Sequence, residues 1–235
     1  METVYYLILG PMVYAAVFIF AAGLVHQTVR TARRPKFAPS LRIYPLKKPA
    51  WLYAVLDALL LPAVRRHNPV LWFFLLGFHF CLILLLVGHL ELIADFGLFQ
   101  IVPHQIFLGG GLVGLFMCLA LLFFLLRRFI SPTKELSVPE DYFLLILLFL
   151  TVLFGSEMDW ARRWYGYGTM DPAVYRDYLT ALLHFEVNLD DILGTGHSFM
   201  LVLHVFCANL FLAFFPFSSL MHGIFAIPLN IIRRV

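Results

Sequence analysis

Residues 77–92 read GFHFCLILLLVGHLEL, in which one acid, Glu91, and two histidines, His79 and His89, interrupt an otherwise apolar run. Extended to 70–93, the run is long enough as a helix to cross the roughly 30 Å of hydrocarbon in a bilayer. Working outward, four more stretches of this kind occupy about 4–26, 106–126, 142–157 and 197–227, the fourth of them the shortest. The expectation is an all-α integral membrane bundle of five helices. Composition agrees: 235 residues at 62% hydrophobic and 13% charged, with mean hydropathy +0.87, lie far from a soluble domain, where about a quarter of residues are charged. Five spans and their connections consume the length, so residues 1–235 are expected to form a single membrane domain.

The opening METVYYLILG has no basic residue before its apolar run and no small-residue cleavage site, which reads as a first span rather than a removable signal. Lys and Arg set the orientation. Fourteen of them, against four acids, fall between spans 1 and 2 (with Arg65 and Arg66), between spans 3 and 4 (Arg127, Arg128, Lys134) and in the tail (Arg233, Arg234); the other side holds Arg162, Arg163 and Arg176 against ten acids. The N-terminus is therefore expected outside and the C-terminus in the cytoplasm, in a multi-pass protein of a bacterial or archaeal cytoplasmic membrane. The membrane lipid is its first partner, and no nucleic acid is expected. Two connections carry structure of their own: AWLYAVLDALLLPAVRR (50–66) reads as an interfacial helix on the inner leaflet, broken near Pro62, and AVYRDYLTALLHFEVNLDDI (173–192) as a short amphipathic helix outside.

Four of the nine histidines lie within apolar spans: His79 and His89 in span 2, His204 and His222 in span 5. An ionisable group at membrane depth is costly and marks a functional site by default; the bland reading, imidazoles acting as interhelical glue, fits one histidine better than two pairs. Two neutral imidazoles facing each other suit the axial positions of a low-spin haem, and two helices with two histidines each can grip two haems. Spans 2 and 5 run in opposite directions, which pairs His79 with His222 toward the cytoplasm and His89 with His204 toward the outside. The geometry supports this in part: His204 and His222 are five helical turns apart on one face, whereas the step from His79 to His89 covers about 15 Å and leaves the face by about 80°, so tilt or a kink at Pro216 is needed. The three cysteines, Cys81, Cys118 and Cys207, lie singly in apolar runs and form no CxxCH attachment motif, so any cofactor is held noncovalently. Gly77, Gly88, Gly223 and the run Gly109, Gly110, Gly111 and Gly114 allow close approach of a macrocycle or simply of another helix.

The spacings His79-x9-His89 and His204-x17-His222, the second carrying LFLAFFPFSSLMH, resemble the gamma subunit of membrane-bound respiratory nitrate reductase, a five-helix dihaem cytochrome b. The resemblance covers the whole chain in span number and is most specific in spans 2 and 5. It implies two haems b, His89 and His204 on the outer and His79 and His222 on the inner, with a quinol (menaquinol or ubiquinol) oxidised beside the outer haem and electrons passed to a cytoplasmic iron–sulfur subunit. The sequence departs from that pattern in its longer first connection, with the extra segment around Trp51–Pro62, and in a short loop between spans 2 and 3 that lacks the family's lysine near the quinone. Similar gamma-like subunits occur in transmembrane redox complexes of sulfate-reducing bacteria, alongside heterodisulfide-reductase-like iron–sulfur proteins and periplasmic multihaem cytochromes c.

A quinol site needs a proton acceptor beside the haem edge. His104, in IVPHQIF, stands about where the family lysine would act, and Glu91 and Asp95 follow His89 as candidates to relay protons; each also reads as an ordinary interfacial residue. His184 and His197 lie on the same outer segment. Arg65, Arg66, Arg127 and Arg128 are on the inner side, where a haem carboxylate needs a cation but where arginines flank membrane helices anyway. Three alternatives remain: an electron wire between a periplasmic cytochrome c and an inner subunit with no quinone site, a non-haem anchor, and a metal transporter, which would call for more acid or thiolate ligands at membrane depth.

Overall fold

The computed structural model describes residues 2–33, 49–93, 111–168 and 171–232, and every regular element among them is helical. In chain order these are α1 (Glu2–Leu9), α2 (Pro11–Ala32), α3 (Ala50–Leu60), α4 (Pro62–His67), α5 (Pro69–Ile93), α6 (Leu112–Arg127), α7 (Pro139–Tyr165), α8 (Pro172–Leu183), α9 (Asp190–Leu193), α10 (Ser198–Phe214) and α11 (His222–Ile232). Four stretches are long and apolar enough to span a membrane: Glu2–Ala32, Pro69–Ile93, Pro139–Arg162 and Ser198–Phe217. The third expected span appears as α6, whose 16 described residues extend about 24 Å.

Sequence chemistry sets the helix ends. Pro11, Pro62, Pro69, Pro139 and Pro172 each open a helix, where a missing N–H costs nothing. Asn68 and Asp171 accept the N–H of Leu71 and Ala173 at 2.9 Å as caps of α5 and α8. Helix α7 closes on Gly166 at φ +63°, where Tyr167 N–H reaches back to the Ala161 carbonyl.

Within the bilayer a helix break must satisfy its own backbone, because each orphaned polar group costs several kcal/mol in hydrocarbon. At the α1–α2 break before Pro11, Tyr178 Oη donates to the Leu9 carbonyl at 2.7 Å and Asn209 Nδ2 to the Ile8 carbonyl at 3.1 Å. Burial, helped by nearby Tyr14, holds the Tyr178 phenol above its ordinary pKa, so it remains a donor. These bonds sew α8 and α10 to the N-terminal part of the first span, inside a core of Leu9, Leu92, Met158, Tyr175, Tyr178, Leu182, Ile192, Leu201 and Val202. A second core, around Cys81, Met117, Cys118, Leu121, Val152 and Trp160, joins α5, α6 and α7.

The packing runs as an arc: α2 on α10, α10 on α7, α7 on α6, α6 on α5, with α8 across the C-terminal end of α5 and α3 against α11. Large side chains such as Phe18, Phe80, Ile83, Leu86 and Leu90 point outward, as lipid-facing residues do. Glycines set the closest approaches, since a Cβ on Gly77 would stand 2.5 Å from the Phe116 ring, and one on Gly114 would collide with Ser156.

Two expectations about span boundaries need correction. The expected fourth span, 142–157, is a 27-residue helix, Pro139–Tyr165. It continues past Glu157 because its outer polar residues are engaged: Asp159 Oδ2 accepts the Gly111 N–H at 3.1 Å and Oδ1 the Arg162 guanidinium at 2.8 Å. The expected fifth span, 197–227, is not one helix: α10 stops at Phe214, Phe215–Phe217 and Ser219–Met221 form short 3-10 turns, and α11 starts at His222. Pro216 has no N–H to continue the ladder, so helical phase does not relate His204 to His222. The segment 50–66 is helical, with a break at Leu61 (φ +45°) before Pro62.

Candidate functional site

The four membrane histidines lie at two places, two at each. His89 on α5 and His204 on α10 have ring centroids 6.1 Å apart and planes inclined by 22°. An imidazole nitrogen lies about 1.1 Å from its ring centroid and a metal–imidazole bond is about 2.0–2.1 Å, so two rings on one metal have centroids about 6.3 Å apart. Helix α5 packs on α6 and α8 rather than on α10, which leaves the two ligand-bearing helices apart.

The second pair, His79 on α5 and His222 at the start of α11, lines a cleft of about 230 Å3 walled by Leu75, Phe78, Leu121, Phe124 and Leu148. Polar groups line it as well: Arg127, Arg128, Thr133, Asp141 and Ser219. Two of the four arginines named from sequence thus line this cleft. Arg65 instead lies over the Trp72 ring, 5.1 Å from its centroid, and neither it nor Arg66 lines the cleft.

All four rings are oriented in one way. Nδ1 lies 2.7 Å from the Leu75 carbonyl for His79, 2.7 Å from Leu85 for His89, 2.8 Å from Thr151 for His204 and 3.0 Å from Ser219 for His222. A carbonyl can only accept, so Nδ1 carries the proton and Nε2 keeps a lone pair, the state that ligating histidines adopt when an outer group fixes their tautomer. A bis-histidine haem asks for nothing more from the protein at its iron. Among the described residues no group of three or more His, Cys, Asp or Glu could hold a metal ion. The facing rings of His89 and His204 fit a haem held by two histidines, and His79 and His222 offer the same donors at a second cleft.

Sequence reasoning missed Thr151 and Gly155. Thr151 supplies the carbonyl for His204, and a Cβ on Gly155 would stand 2.8 Å from His204 Nδ1; one turn apart on α7, they form the seat for that ring. The signal was present as a T-x3-G step in an apolar run. Of the glycines named beforehand, Gly77 serves the α5–α6 contact, and a Cβ on Gly223 would meet nothing within 4 Å. Gly109 and Gly110 lie outside the described residues.

Glu91 is 1% exposed, and Arg176 Nη2 donates to its backbone carbonyl at 3.2 Å. Two residues past His89, it lies on a different face of α5 from that ring. His104 and Asp95 lie outside the described residues. His184 is exposed at the end of α8; His197 is buried beside Tyr167, ring centroids 5.9 Å apart. The cysteines are buried and free.

Comparison with known proteins bears on these residues directly. The sequence model of the nitrate reductase gamma subunit family matches residues 70–235, which include all four histidines. A curated relative, the Hdr-like menaquinol oxidoreductase cytochrome b-like subunit of Archaeoglobus fulgidus, is 29% identical over 174 residues, covering 67% of this chain and 49% of the relative. The chain thus spans about half the length of that relative.

Proposed function

The chain belongs to the nitrate reductase gamma subunit family, and on that premise we propose that it is the dihaem b membrane subunit of a menaquinol-linked redox complex. The observation that carries the reading is the 6.1 Å separation of His89 and His204 with both Nδ1 atoms tied to backbone carbonyls. His89 and His204 would hold the outer haem, and His79 and His222 the inner one. When bound, the haems supply the one-electron couples by which electrons cross the bilayer.

The chain's own residues do the rest. The Leu75, Leu85, Thr151 and Ser219 carbonyls place the proton of each neutral ring on Nδ1, which leaves Nε2 as the ligating atom, and Arg127, which lines the cleft of His79 and His222, offers a cation to a haem carboxylate. The single domain is oriented with the N-terminus outside, so the His89/His204 pair faces the outer compartment. There Glu91 and His104 are the candidates to take protons from menaquinol. Electrons leave from the inner pair to a cytoplasmic iron–sulfur subunit in a bacterial or archaeal cytoplasmic membrane. The relative's name, with its Hdr-like and menaquinol terms, supports a heterodisulfide-reductase-type partner, with a periplasmic multihaem cytochrome c as a further component.

Anaerobic addition of a menaquinol analogue to the oxidised protein tests this. We expect reduced b-type bands to reach most of the dithionite-reducible amplitude, and Glu91→Gln to slow their appearance about tenfold or more, within the usual range for loss of a general base. Bands that respond to dithionite and ignore the quinol would instead support a wire fed by cytochrome c.

A further inference from the structure

The break after Phe214 means that His222 does not inherit its position from the helix that holds His204, so something else must hold it. The inner end of the bundle contains such a device. His222 Nδ1 donates to the Ser219 carbonyl at 3.0 Å, and Ser219 Oγ faces Asp141 Oδ1 at 3.4 Å. Asp141 Oδ2 accepts Arg128 Nη1 at 2.9 Å and the Val138 N–H at 3.2 Å. Arg128 is fixed in turn: Nη1 also reaches Ser137 Oγ at 3.0 Å, and its carbonyl accepts Tyr142 Oη at 2.6 Å. Side-chain exposures of 14% for Asp141 and 28% for Arg128 take the pair out of the class of solvated surface ion pairs.

We propose that Asp141 is a positioning residue for His222, holding the turn before it through Ser219 and placing a fixed negative charge at the inner cleft. The inference rests on the reading of His222 as a haem ligand. One carboxylate joins three elements: the start of α7, the end of α6 through Arg128, and the Ser219–Met221 turn. A second tie, Gln27 Nε2 to the Pro216 carbonyl at 3.2 Å, anchors the other end of the broken segment but carries no charge. The Ser219 contact is longer than an ordinary hydroxyl hydrogen bond, so the charge should matter more than the hydroxyl. Removing it leaves the Arg128 cation uncompensated beside the cleft, which favours the reduced, less positive state of a haem there.

Redox titration of the purified protein, followed optically and by electron paramagnetic resonance, tests the proposal in Asp141→Asn and Ser219→Ala. Asp141→Asn is expected to raise the midpoint potential of one haem, the one that His222→Ala removes, and to leave the other unchanged. Ser219→Ala, which keeps the ion pair and alters no charge, is expected to change the low-spin resonance of that same haem with a smaller potential shift. If Asp141→Asn does not fold, the Ser219→Ala resonance alone decides. Unchanged potential and resonance at the inner haem, or equal shifts at both, would overturn the positioning role. A His222→Ala protein with undiminished haem would overturn the ligand reading beneath it, which is a separate outcome.

Discussion

His204→Ala is expected to lower the haem b content from about two per chain to about one, because one low-spin haem needs both of its axial nitrogens. His89→Ala should give the same residual spectrum, since the two rings face one site at 6.1 Å. His79→Ala and His222→Ala should each leave the complementary spectrum, because those two line a different cleft. Pyridine haemochrome quantification with reduced-minus-oxidised spectra reads the result. Matching residual spectra from His204→Ala and His222→Ala would contradict the pairing. The size of the effect follows from the way the ring is held, since the Thr151 carbonyl fixes the tautomer of His204.

Gly155→Val should have nearly the same consequence without touching a ligand. A Cβ at this position would sit 2.8 Å from His204 Nδ1 and 2.9 Å from Cε1, closer than atoms of a packed interior approach, and a branched side chain cannot retract from a helix face. The ring must leave the Thr151 carbonyl or α10 must move off α7, at a cost of about 1–3 kcal/mol for overpacking. Haem content is expected to fall toward that of His204→Ala, with the outer haem lost and the inner retained. Gly223→Ala, beside the other ligand but with nothing within 4 Å of its new methyl, should keep the full content. A Gly155→Val protein with both haems intact would show that the seat is not tight.

Much of this was legible in the sequence. Long apolar runs disclose membrane helices because hydrocarbon forces every backbone polar group into internal bonds, and histidines inside such runs stand out because so little else there is polar. What failed was reading apolar content as helix length. Glu157, Asp159, Arg162 and Arg163 truncate the hydropathy of α7, yet the helix runs on, since Asp159 is engaged by the Gly111 N–H and by Arg162. In LFLAFFPFSSLMH the apolar run reads as one span with a kink at Pro216, and the structure goes further, ending the helix where Pro216 withholds its N–H. The site residues that were missed act through groups that leave little trace in composition: the main-chain carbonyls of Thr151 and Ser219, and the absent side chain of Gly155. Asp141 was hidden for another reason. An acid in the first turn of a helix reads as a cap, and Asp141 is one, but its other oxygen faces the turn that carries His222. Of the four inner arginines, sequence could not separate Arg127 and Arg128 from Arg65 and Arg66, because all flank membrane helices; only the fold shows which two border the cleft.

The most direct test of the central claim is the haem content of the purified wild-type chain, measured as pyridine haemochrome against protein concentration. The account predicts about two haems b per chain, both low-spin and both removable in halves by the ligand substitutions above. A colourless protein, folded and membrane-inserted, would contradict it and return His79, His89, His204 and His222 to the role of interhelical hydrogen-bonding groups.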